Sequence, residues 1–558
     1  MRKKIIGIFV CMLLIAIVVP NVGAANWTQM QKLIAGDSGA GDDFGWSVSL
    51  SGDTVLIGAY LDDDNGADSG SAYVYTRTAG TWTQQAKLLA GDGAEGDYFG
   101  YSVVLAGDTA LIGAWGDDDN GGNSGSAYVF IRTGTTWTQQ AKLLASDGAV
   151  EDHFGCSVSL AGNTALIGAE QDDDNGELSG SVYVFTRTGT TWVQQQKLLP
   201  LDGQEGGFFG YSISLDKNTA LIGATGYDYN GAMDSGCVYV FTRTSTIWTQ
   251  QAKLLSSDIS EADNFGVSVS LNGNTALIGA ETNDNGVNSG SAYVFIRTGT
   301  TWTQQRKLLA SDSAADKFFG YSVSLSGDIA LIGAPRDSDH GYYVGAAYVF
   351  TRTGSTTWTQ QTKLLASDGV AEDCFGCSVS VDGNTALIGA FGDDGNRVDS
   401  GSAYVFTKEQ LDQQQTRYQK NLVFYSTQWN AQSFIPTVTT LTRAEVYISK
   451  TCSPTSAMVL SIRSSLKGAD LVIVSKPASD IPTSNGWVEF DFTNLPVTPG
   501  STYYLVLKTT GGNSKNYYNW GYGISTPYTN GMQWTSANGG SKWTQFAKND
   551  FCFKIYGI

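Results

Sequence analysis

Runs of three consecutive aspartates recur along the chain and could surround a cation with carboxylate oxygens. Each run is followed by Asn-Gly, as in GDDDNG at 116–121, and blurred versions follow at 227–231, 283–286, 337–341 and 393–396. Carboxylates and loop carbonyls are the ligands that Ca²⁺ takes in proteins, so Ca²⁺ is the one cofactor that the sequence suggests. The candidate ligands are Asp62, Asp63, Asp64, Asp117, Asp118, Asp119, Asp172, Asp173 and Asp174.

The spacing of these aspartates does not match a calcium loop of the EF type. Such a loop needs oxygen ligands at positions 1, 3 and 5 before a glycine at position 6. With Gly121 at position 6, position 1 is Gly116, and the other two runs have Leu61 and Gln171 there. Two interpretations stay open: a metal site of another geometry, and a solvated acidic loop without metal.

Residues for acid–base or nucleophilic catalysis are scarce. The chain has two histidines, His153 and His340, and neither lies in a Ser-His-Asp or zinc-ligand pattern. Other repeats have Tyr, Phe, Asn or Cys at the position of His153, which indicates a tolerant surface position. We therefore expect that the protein is not an enzyme, with a polysaccharide-acting secreted enzyme as a minor alternative.

The acidic runs belong to a unit that is repeated seven times. The pair Phe-Gly recurs every 54 to 56 residues, beginning at 44, 99, 154, 209, 265, 319 and 375. Each unit holds four short apolar runs, and a two-residue turn such as Gly107-Asp108 joins the first two as in a β-hairpin. This pattern predicts a seven-bladed β-propeller, with a stacked solenoid as the alternative.

The segments FGYSVSL, TALIGA and SGSAYVF resemble FG-GAP repeats, the units of the integrin α-subunit propeller, and especially their secreted bacterial and archaeal form. The resemblance covers residues 26–407 and implies a seven-bladed propeller that recognises protein or matrix. Integrin calcium loops lie in the hairpin between the first and second strands. That hairpin has only two residues here, so those calcium sites are not expected.

The repeated region begins with a fourth-strand sequence, WTQMQKL, and ends before its last unit has one. We therefore predict that residues 27–33 complete the seventh blade and close the ring. Because loops of an up-and-down blade alternate between the two faces, the acidic loops share one face and the two-residue hairpins share the other. One face of the disc is expected to be strongly anionic.

Charge and the first residues indicate a protein that acts outside the cytoplasm. Residues 1–25 have a basic start, an apolar run and a small-residue end, as a signal peptide does, with an uncleaved anchor as the alternative. No second apolar stretch is long enough to insert in a membrane. Residues 26–407 carry 45 acidic and 18 basic residues, which makes a nucleic-acid partner improbable.

Residues 408–421 are predicted to be a polar linker, and residues 422–558 an antiparallel β-sandwich of the jelly-roll kind. An aromatic-rich segment at 517–543 suggests a stacking platform for a sugar, with core packing of the rings as the other interpretation. The candidate platform residues are Trp520, Tyr522, Trp534 and Trp543. A disulfide between Cys452 and Cys552 is a further expectation, since these are the two cysteines of this part.

Together these features predict an exported, all-β, non-catalytic binding or adhesion protein. Its acidic propeller face would recognise an extracellular protein or matrix, with or without a cation, and its sandwich would bind glycan. A structural component of the cell envelope or of an extracellular layer is the alternative.

Overall fold

The computed structural model describes residues 27–78, 80–283, 287–525 and 528–558, so the predicted signal peptide lies outside the described residues. The described chain is all-β apart from one turn of 3₁₀ helix at Ala478–Asp480. It contains no helix long and apolar enough to cross a bilayer. The strands of the first part are β1 (Trp27–Leu33), β2 (Ser47–Ser51), β3 (Thr54–Ala59), β4 (Ser71–Thr78), β5 (Thr81–Leu88), β6 (Ser102–Ala106), β7 (Thr109–Ala114), β8 (Ser126–Thr133), β9 (Thr136–Leu143), β10 (Phe154–Ala161), β11 (Thr164–Ala169), β12 (Ser181–Thr188), β13 (Thr191–Leu198), β14 (Phe209–Asp216), β15 (Thr219–Ala224), β16 (Cys237–Thr244), β17 (Ile247–Leu254), β18 (Val269–Asn272), β19 (Thr275–Ala280), β20 (Ser291–Thr298), β21 (Thr301–Leu308), β22 (Val323–Ser326), β23 (Ile329–Ala334), β24 (Ala346–Thr353), β25 (Thr357–Leu364), β26 (Val379–Asp382), β27 (Thr385–Ala390) and β28 (Ser402–Lys408).

These strands form seven antiparallel sheets of four strands, the blades of a propeller. Blade 1 is β2–β5, each following blade takes the next four strands, and blade 7 is β26–β28 with β1. The second strand of every blade, TALIGA or a close variant, is buried along its whole length because it lies inside the sheet with a blade on each side. The seven-bladed propeller predicted from the repeats is confirmed.

The hydrophobic core of the propeller is divided into seven clusters, each between two neighbouring blades. The repeated Phe-Gly pair lies at these contacts. The ring of Phe99 is fully buried, and the backbone N–H of Phe99 donates to the carbonyl of Ser69 in the preceding blade (3.0 Å). Gly100 has φ +97°, and a Cβ there would collide with the carbonyl oxygen of Ser71. Each unit therefore needs a large ring followed by a residue without a side chain, which explains why Phe-Gly recurs in every unit.

The first strand of the chain closes the ring. β1 pairs antiparallel with β28 as the outermost strand of blade 7, so that sheet has the order β1-β28-β27-β26. Trp27 and Leu33 at its two ends are buried, and Lys32 forms an ion pair with Asp393 at 2.8 Å. The closure predicted from WTQMQKL is confirmed.

The second part is a sandwich of two antiparallel sheets that enclose one apolar core, as predicted. One sheet has seven strands and the other has six. The strands are β29 (Gln410–Gln415), β30 (Lys420–Phe424), β31 (Trp429–Phe434), β32 (Thr440–Thr451), β33 (Met458–Arg463), β34 (Val472–Lys476), β35 (Gly486–Pro496), β36 (Tyr503–Thr509), β37 (Tyr517–Ile524), β38 (Gln533–Ser536), β39 (Thr544–Phe546), β40 (Asn549–Phe551) and β41 (Phe553–Gly557).

The prediction of a linker at 408–421 was wrong for much of that segment. β29 lies inside it and pairs with the C-terminal strand β41, so it is an edge strand of the sandwich. Its sequence, QLDQQQ, is polar because an edge strand has one side open to solvent. The propeller strand β28 ends at Lys408 and β29 begins at Gln410, so Glu409 alone separates the two parts.

The sandwich packs against the hairpin face of the propeller. A cleft of about 490 Å³ lies between them, lined on one side by Asp53, Arg77 and Asp382 and on the other by residues 437–440 and Ile558. The lining of this cleft takes no residue from the opposite face, which carries the acidic loops.

Candidate functional site

Each acidic loop faces a lysine from the outermost strand of its own blade. In blade 2 the ammonium group of Lys142 lies 2.7 Å from Asp117, 2.7 Å from Asp119 and 2.9 Å from Asp92. It therefore occupies the position between carboxylates that a bound cation would take. The lysines that pair with the first aspartate of the run in other blades are Lys87, Lys197, Lys363 and, from the closing strand, Lys32. In blades 4 and 5, Lys253 and Lys307 pair with Asp202 and Asp258 of the preceding loop.

Blade 3 shows how the first aspartate of a run is held. Asp172 is 3% exposed and accepts hydrogen bonds from Ser181 (2.8 Å), Tyr183 (2.8 Å) and Lys197 (2.7 Å). Burial raises the pKa of this carboxyl, but hydrogen bonds led by Lys197 outweigh it and hold the pKa below the ordinary value. The same bonds raise the pKa of Lys197 although burial opposes it. Asp172 and Lys197 thus form a partly buried ion pair that is part of the folded loop.

The three aspartates of a run have three different tasks. The first is buried as described, and the third, Asp174 in blade 3, is exposed and pairs with the same lysine at 2.5 Å. The middle one, Asp173, is exposed and accepts the N–H of Leu178 at 2.7 Å, which fixes the turn. All nine candidate metal ligands follow this scheme. Calcium binding there stays a prediction, and a Ca²⁺ ion would first have to displace an ammonium group.

Blade 6 brings three carboxylates closest together. Oxygens of Asp312, Asp337 and Asp339 all lie within 4.8 Å of one another. Two ammonium groups, those of Lys317 and Lys363, lie 2.7–3.3 Å from them. The cluster is thus a network of ion pairs like the other loops, with one additional lysine.

A second feature of the acidic face is the opening along the propeller axis. The first strands of the seven blades contact one another in a closed ring, so they surround this axis. Two residues of each blade, those that follow Phe-Gly and Ile-Gly-Ala, surround its mouth, and we call these fourteen residues the axial funnel. They are Trp46, Tyr60, Tyr101, Trp115, Cys156, Glu170, Tyr211, Thr225, Val267, Glu281, Tyr321, Pro335, Cys377 and Phe391.

Blades 7, 1 and 2 give the funnel an aromatic wall. Trp46 lies in the middle, with ring centroids 5.2 Å from Phe391, 4.9 Å from Tyr60 and 5.6 Å from Tyr101. Trp115 extends the wall, stacking on Tyr98 at 4.7 Å and contacting the ring of His153 at 4.4 Å. These rings are half-buried, so they offer apolar faces to a ligand.

Blades 3, 4 and 5 give the funnel an acidic side. A cavity of about 210 Å³ lies there, with Glu170 and Glu281 among its lining residues. We call it the glutamate cavity, and the complete lining is Glu170, Phe208, Tyr211, Thr225, Asn264, Val267 and Glu281. Burial raises the pKa of Glu281 to about 7.

One of the four residues predicted for a sugar platform, Trp520, belongs to the core of the sandwich, and sugar binding by the other three stays a prediction. Trp520 is fully buried, stacks on Phe551 at 4.0 Å and donates from Nε1 to the carbonyl of Cys552 at 2.9 Å, so it is a core residue. Trp534 is partly buried against Tyr504, and Trp543 is partly buried as well. Tyr522 lines an open cleft of about 250 Å³ between the two sheets.

The predicted disulfide was wrong. Cys452 is exposed at the end of β32, whereas Cys552 is buried between β40 and β41, and both thiols are free. The thiol of Cys552 contacts the carbonyl of Arg417 at 3.4 Å, and burial raises its pKa to about 12. A buried thiol of this kind is a small packing residue.

Sequence reasoning missed the axial funnel. His153 was interpreted as a tolerant surface residue, yet it is half-buried against Trp115. The sequence does contain a signal for the funnel, which is a variable position directly after an invariant segment of the repeat. Ile-Gly-Ala is the same in all seven units, but the next residue is Tyr, Trp, Glu, Thr, Glu, Pro or Phe.

The seven repeats of the propeller match a known protein family. A family model described as FG-GAP repeat matches residues 27–75, 82–130, 137–185, 192–241, 248–295, 302–350 and 358–406. No curated protein matches the sequence. The solved structures that resemble this chain include the following two, both at low sequence identity. A chain from a crystal structure of a mitotic checkpoint complex is 12% identical, with 73% of this chain and 100% of that chain covered and a TM-score of 0.44. Sqt1 from Saccharomyces cerevisiae is 13% identical, with 66% and 84% covered and a TM-score of 0.37.

Proposed function

Because the chain belongs to the FG-GAP repeat family, we propose that it is an exported, non-catalytic binding protein that holds its ligand in the axial funnel. The repeats of this family suggest a propeller for binding or recognition. The acidic loops are less suited to this task, since their buried carboxylates already have lysine partners. The funnel is open on the face that the sandwich leaves free.

The variation of the funnel residues carries this proposal. If folding alone decided these positions, one residue type would serve in all seven blades, as it does in the adjacent Ile-Gly-Ala. Instead the side chains divide into an aromatic wall on blades 7, 1 and 2 and an acidic cavity on blades 3 to 5. A symmetric scaffold with one asymmetric concave surface is suited to a single ligand in one orientation.

The ligand that we propose is part of an extracellular protein or matrix, which would make the protein an adhesion module. The signal-peptide pattern of residues 1–25 and the extracellular occurrence of the repeat support this location. The strongly negative propeller disfavours nucleic acid and anionic lipid surfaces. A structural role in an envelope layer is the alternative, and ordered self-assembly of the purified protein would favour it.

Replacement of two wall residues, Trp46→Ala with Trp115→Ala, tests the funnel. We expect at least about a tenfold loss of binding to arrays of matrix proteins, since aromatic anchors in concave sites contribute about 2 kcal/mol or more. Leu201→Ala is the matched control, because Leu201 is 86% exposed on the acidic face outside the funnel. Equal binding by the wall variant and the control, with both folded, would contradict the proposal.

A second candidate function is glycan binding by the sandwich. The inter-sheet cleft beside Tyr522 is lined by Asn430 and Gln533, which are each 2% exposed. Within the described part of the chain, the amide nitrogen of Asn430 and the amide oxygen of Gln533 have no hydrogen-bond partner, although buried polar groups normally have one. Hydroxyl groups of a sugar could accept a hydrogen bond from the Asn430 amide nitrogen and donate one to the Gln533 amide oxygen.

The substitutions Trp520→Ala and Tyr522→Ala separate core packing from ligand contact. Trp520→Ala should destabilise the sandwich by about 3–5 kcal/mol in denaturant unfolding, because it empties a fully buried site. Tyr522→Ala should leave the sandwich folded and weaken its retention on immobilised polysaccharide. Unchanged retention of a folded Tyr522→Ala variant on every polysaccharide that retains the wild type would exclude Tyr522 from the site.

A further inference from the structure

Glu170 and Glu281 differ from the first aspartates of the acidic runs in the supply of positive charge. Asp62, Asp117 and Asp172, the buried first aspartates of three runs, each have a lysine at 2.7–2.9 Å. Buried aspartates of the loops between blades, such as Asp97 and Asp373, form no ion pair within the described residues. Within the described ranges, Glu281 forms no ion pair, and Glu170 has only a ring nitrogen of His153 at 3.8 Å. Two carboxylates therefore line one cavity, and no lysine or arginine of the described chain lies within ion-pair distance of either.

Glu281 is the more deeply placed of the two. Asn264 hydrogen-bonds to its carboxylate, but Oε2 is buried and has no hydrogen-bond partner among the residues that the structure describes. Burial raises its pKa to about 7, and the hydrogen bond from Asn264 and the charge of Arg336 lower it only in part. An unpartnered carboxylate oxygen in a low-dielectric site is costly, and a cationic occupant would offset that cost.

The other walls of the cavity are suited to an organic cation. Phe208 and Tyr211 present rings beside the two carboxylates, and Tyr211 is 41% exposed, so its face is accessible. An ammonium group is attracted by ring faces within about 6 Å and by carboxylates, whereas a bare metal ion prefers several oxygen ligands. At about 210 Å³ the cavity has room for one ammonium group with its substituents.

We propose that the glutamate cavity binds an organic ammonium group, primary or methylated, between Glu170, Glu281 and the rings of Phe208 and Tyr211. This inference rests on the proposed function and names the ligand chemistry of the same funnel. The remainder of such a ligand would lie against the aromatic wall. The group could belong to a lysine side chain of a partner protein or to a free small amine.

The first test is a titration of the full chain with choline and, separately, with its neutral isostere 3,3-dimethyl-1-butanol, followed by calorimetry. We expect choline to bind and the alcohol to bind at least about tenfold more weakly, which corresponds to about 1.4 kcal/mol. Glu281→Gln and Glu170→Gln should each weaken choline binding, while Glu205→Gln, an exposed acid outside the cavity, should not. Nα-acetyl-lysine amide, titrated in parallel, distinguishes a lysine source from a small amine.

The pH dependence gives a second readout. A carboxyl with a pKa of about 7 is mostly protonated at pH 6 and mostly ionised at pH 8, so choline affinity should rise across this interval. Binding should also release protons near pH 7, since the cation lowers the pKa of Glu281. Arg336, Glu170, Tyr211 and Tyr321 are the charged or titratable groups that face it, and Glu281→Gln should abolish the proton release.

The outcomes separate the two proposals. Equal affinity for choline and the alcohol, or no binding of choline by the folded wild type, overturns the ammonium inference but leaves the funnel as a site for another ligand. Unchanged array binding by the aromatic-wall variant overturns the funnel itself, whatever choline does.

Discussion

Removal of β1, residues 27–33, is expected to lower the melting temperature of the whole propeller by roughly 10 °C or more. The deletion leaves blade 7 with three strands, exposes the edge of β28 and empties the buried sites of Trp27 and Leu33. Loss of two such side chains costs about 5 kcal/mol or more, before the lost backbone pairing is considered. Calorimetry of chains that begin at residue 26 and at residue 34 measures this.

The control is Thr28→Ala, a change on the same strand that keeps the pairing and the two buried ends. It should melt within a few degrees of the parent chain. Equal melting of the deleted and parent chains would mean that β1 does not close the ring.

Lys197→Met should destabilise the propeller by about 3 kcal/mol and create a calcium-responsive loop. The substitution keeps the length of the side chain but leaves the buried carboxylate of Asp172 beside Asp174 and Asp147 without a cation. Ca²⁺ should then raise the melting temperature in a saturable way, whereas the wild type should respond to Ca²⁺ only as it responds to plain salt.

The double variant Asp172→Asn with Lys197→Met serves as the control, since it removes the buried charge together with its partner and should recover part of the stability. In the wild type the lowered pKa of Asp172 implies a contribution that is present at neutral pH and lost as the pH falls below the ordinary value of 3.8. A saturable rise with Ca²⁺ in the wild type would overturn this account and support metal binding by the loops.

The propeller could be predicted because its information is local and repeated. Phe-Gly at a period of 54 to 56 residues, two-residue hairpins and TALIGA strands are visible without knowledge of any distant contact. The strand at 410–415 could not be predicted in this way, since QLDQQQ has no alternating apolar pattern and becomes a strand only by pairing with β41.

The functional residues were harder because they depend on contacts between distant positions. Lys197 is 25 residues from Asp172 and meets it only when the third and fourth strands fold back. Trp520 and Tyr522 alternate with Gly521 along one strand, yet one is core and the other reaches the cleft, which the sequence pattern alone does not decide. For Cys452 and Cys552, sequence gave no information on the distance between their side chains.

Ring closure by β1 also limits when the propeller can finish folding relative to its synthesis. β1 is made first, but its partner β28 follows about 370 residues later, which at roughly 5–20 residues per second is a wait of about 20–75 s. The sequence of β1 resembles that of β5, so during that time β1 could pair with β4, the strand of blade 1 that corresponds to β28. The short turn between β4 and β5 favours the local hairpin because a short loop loses less entropy on closing. The return of the first-made strand is therefore the last step, and until it occurs a sheet edge of the nascent chain stays open to other strands.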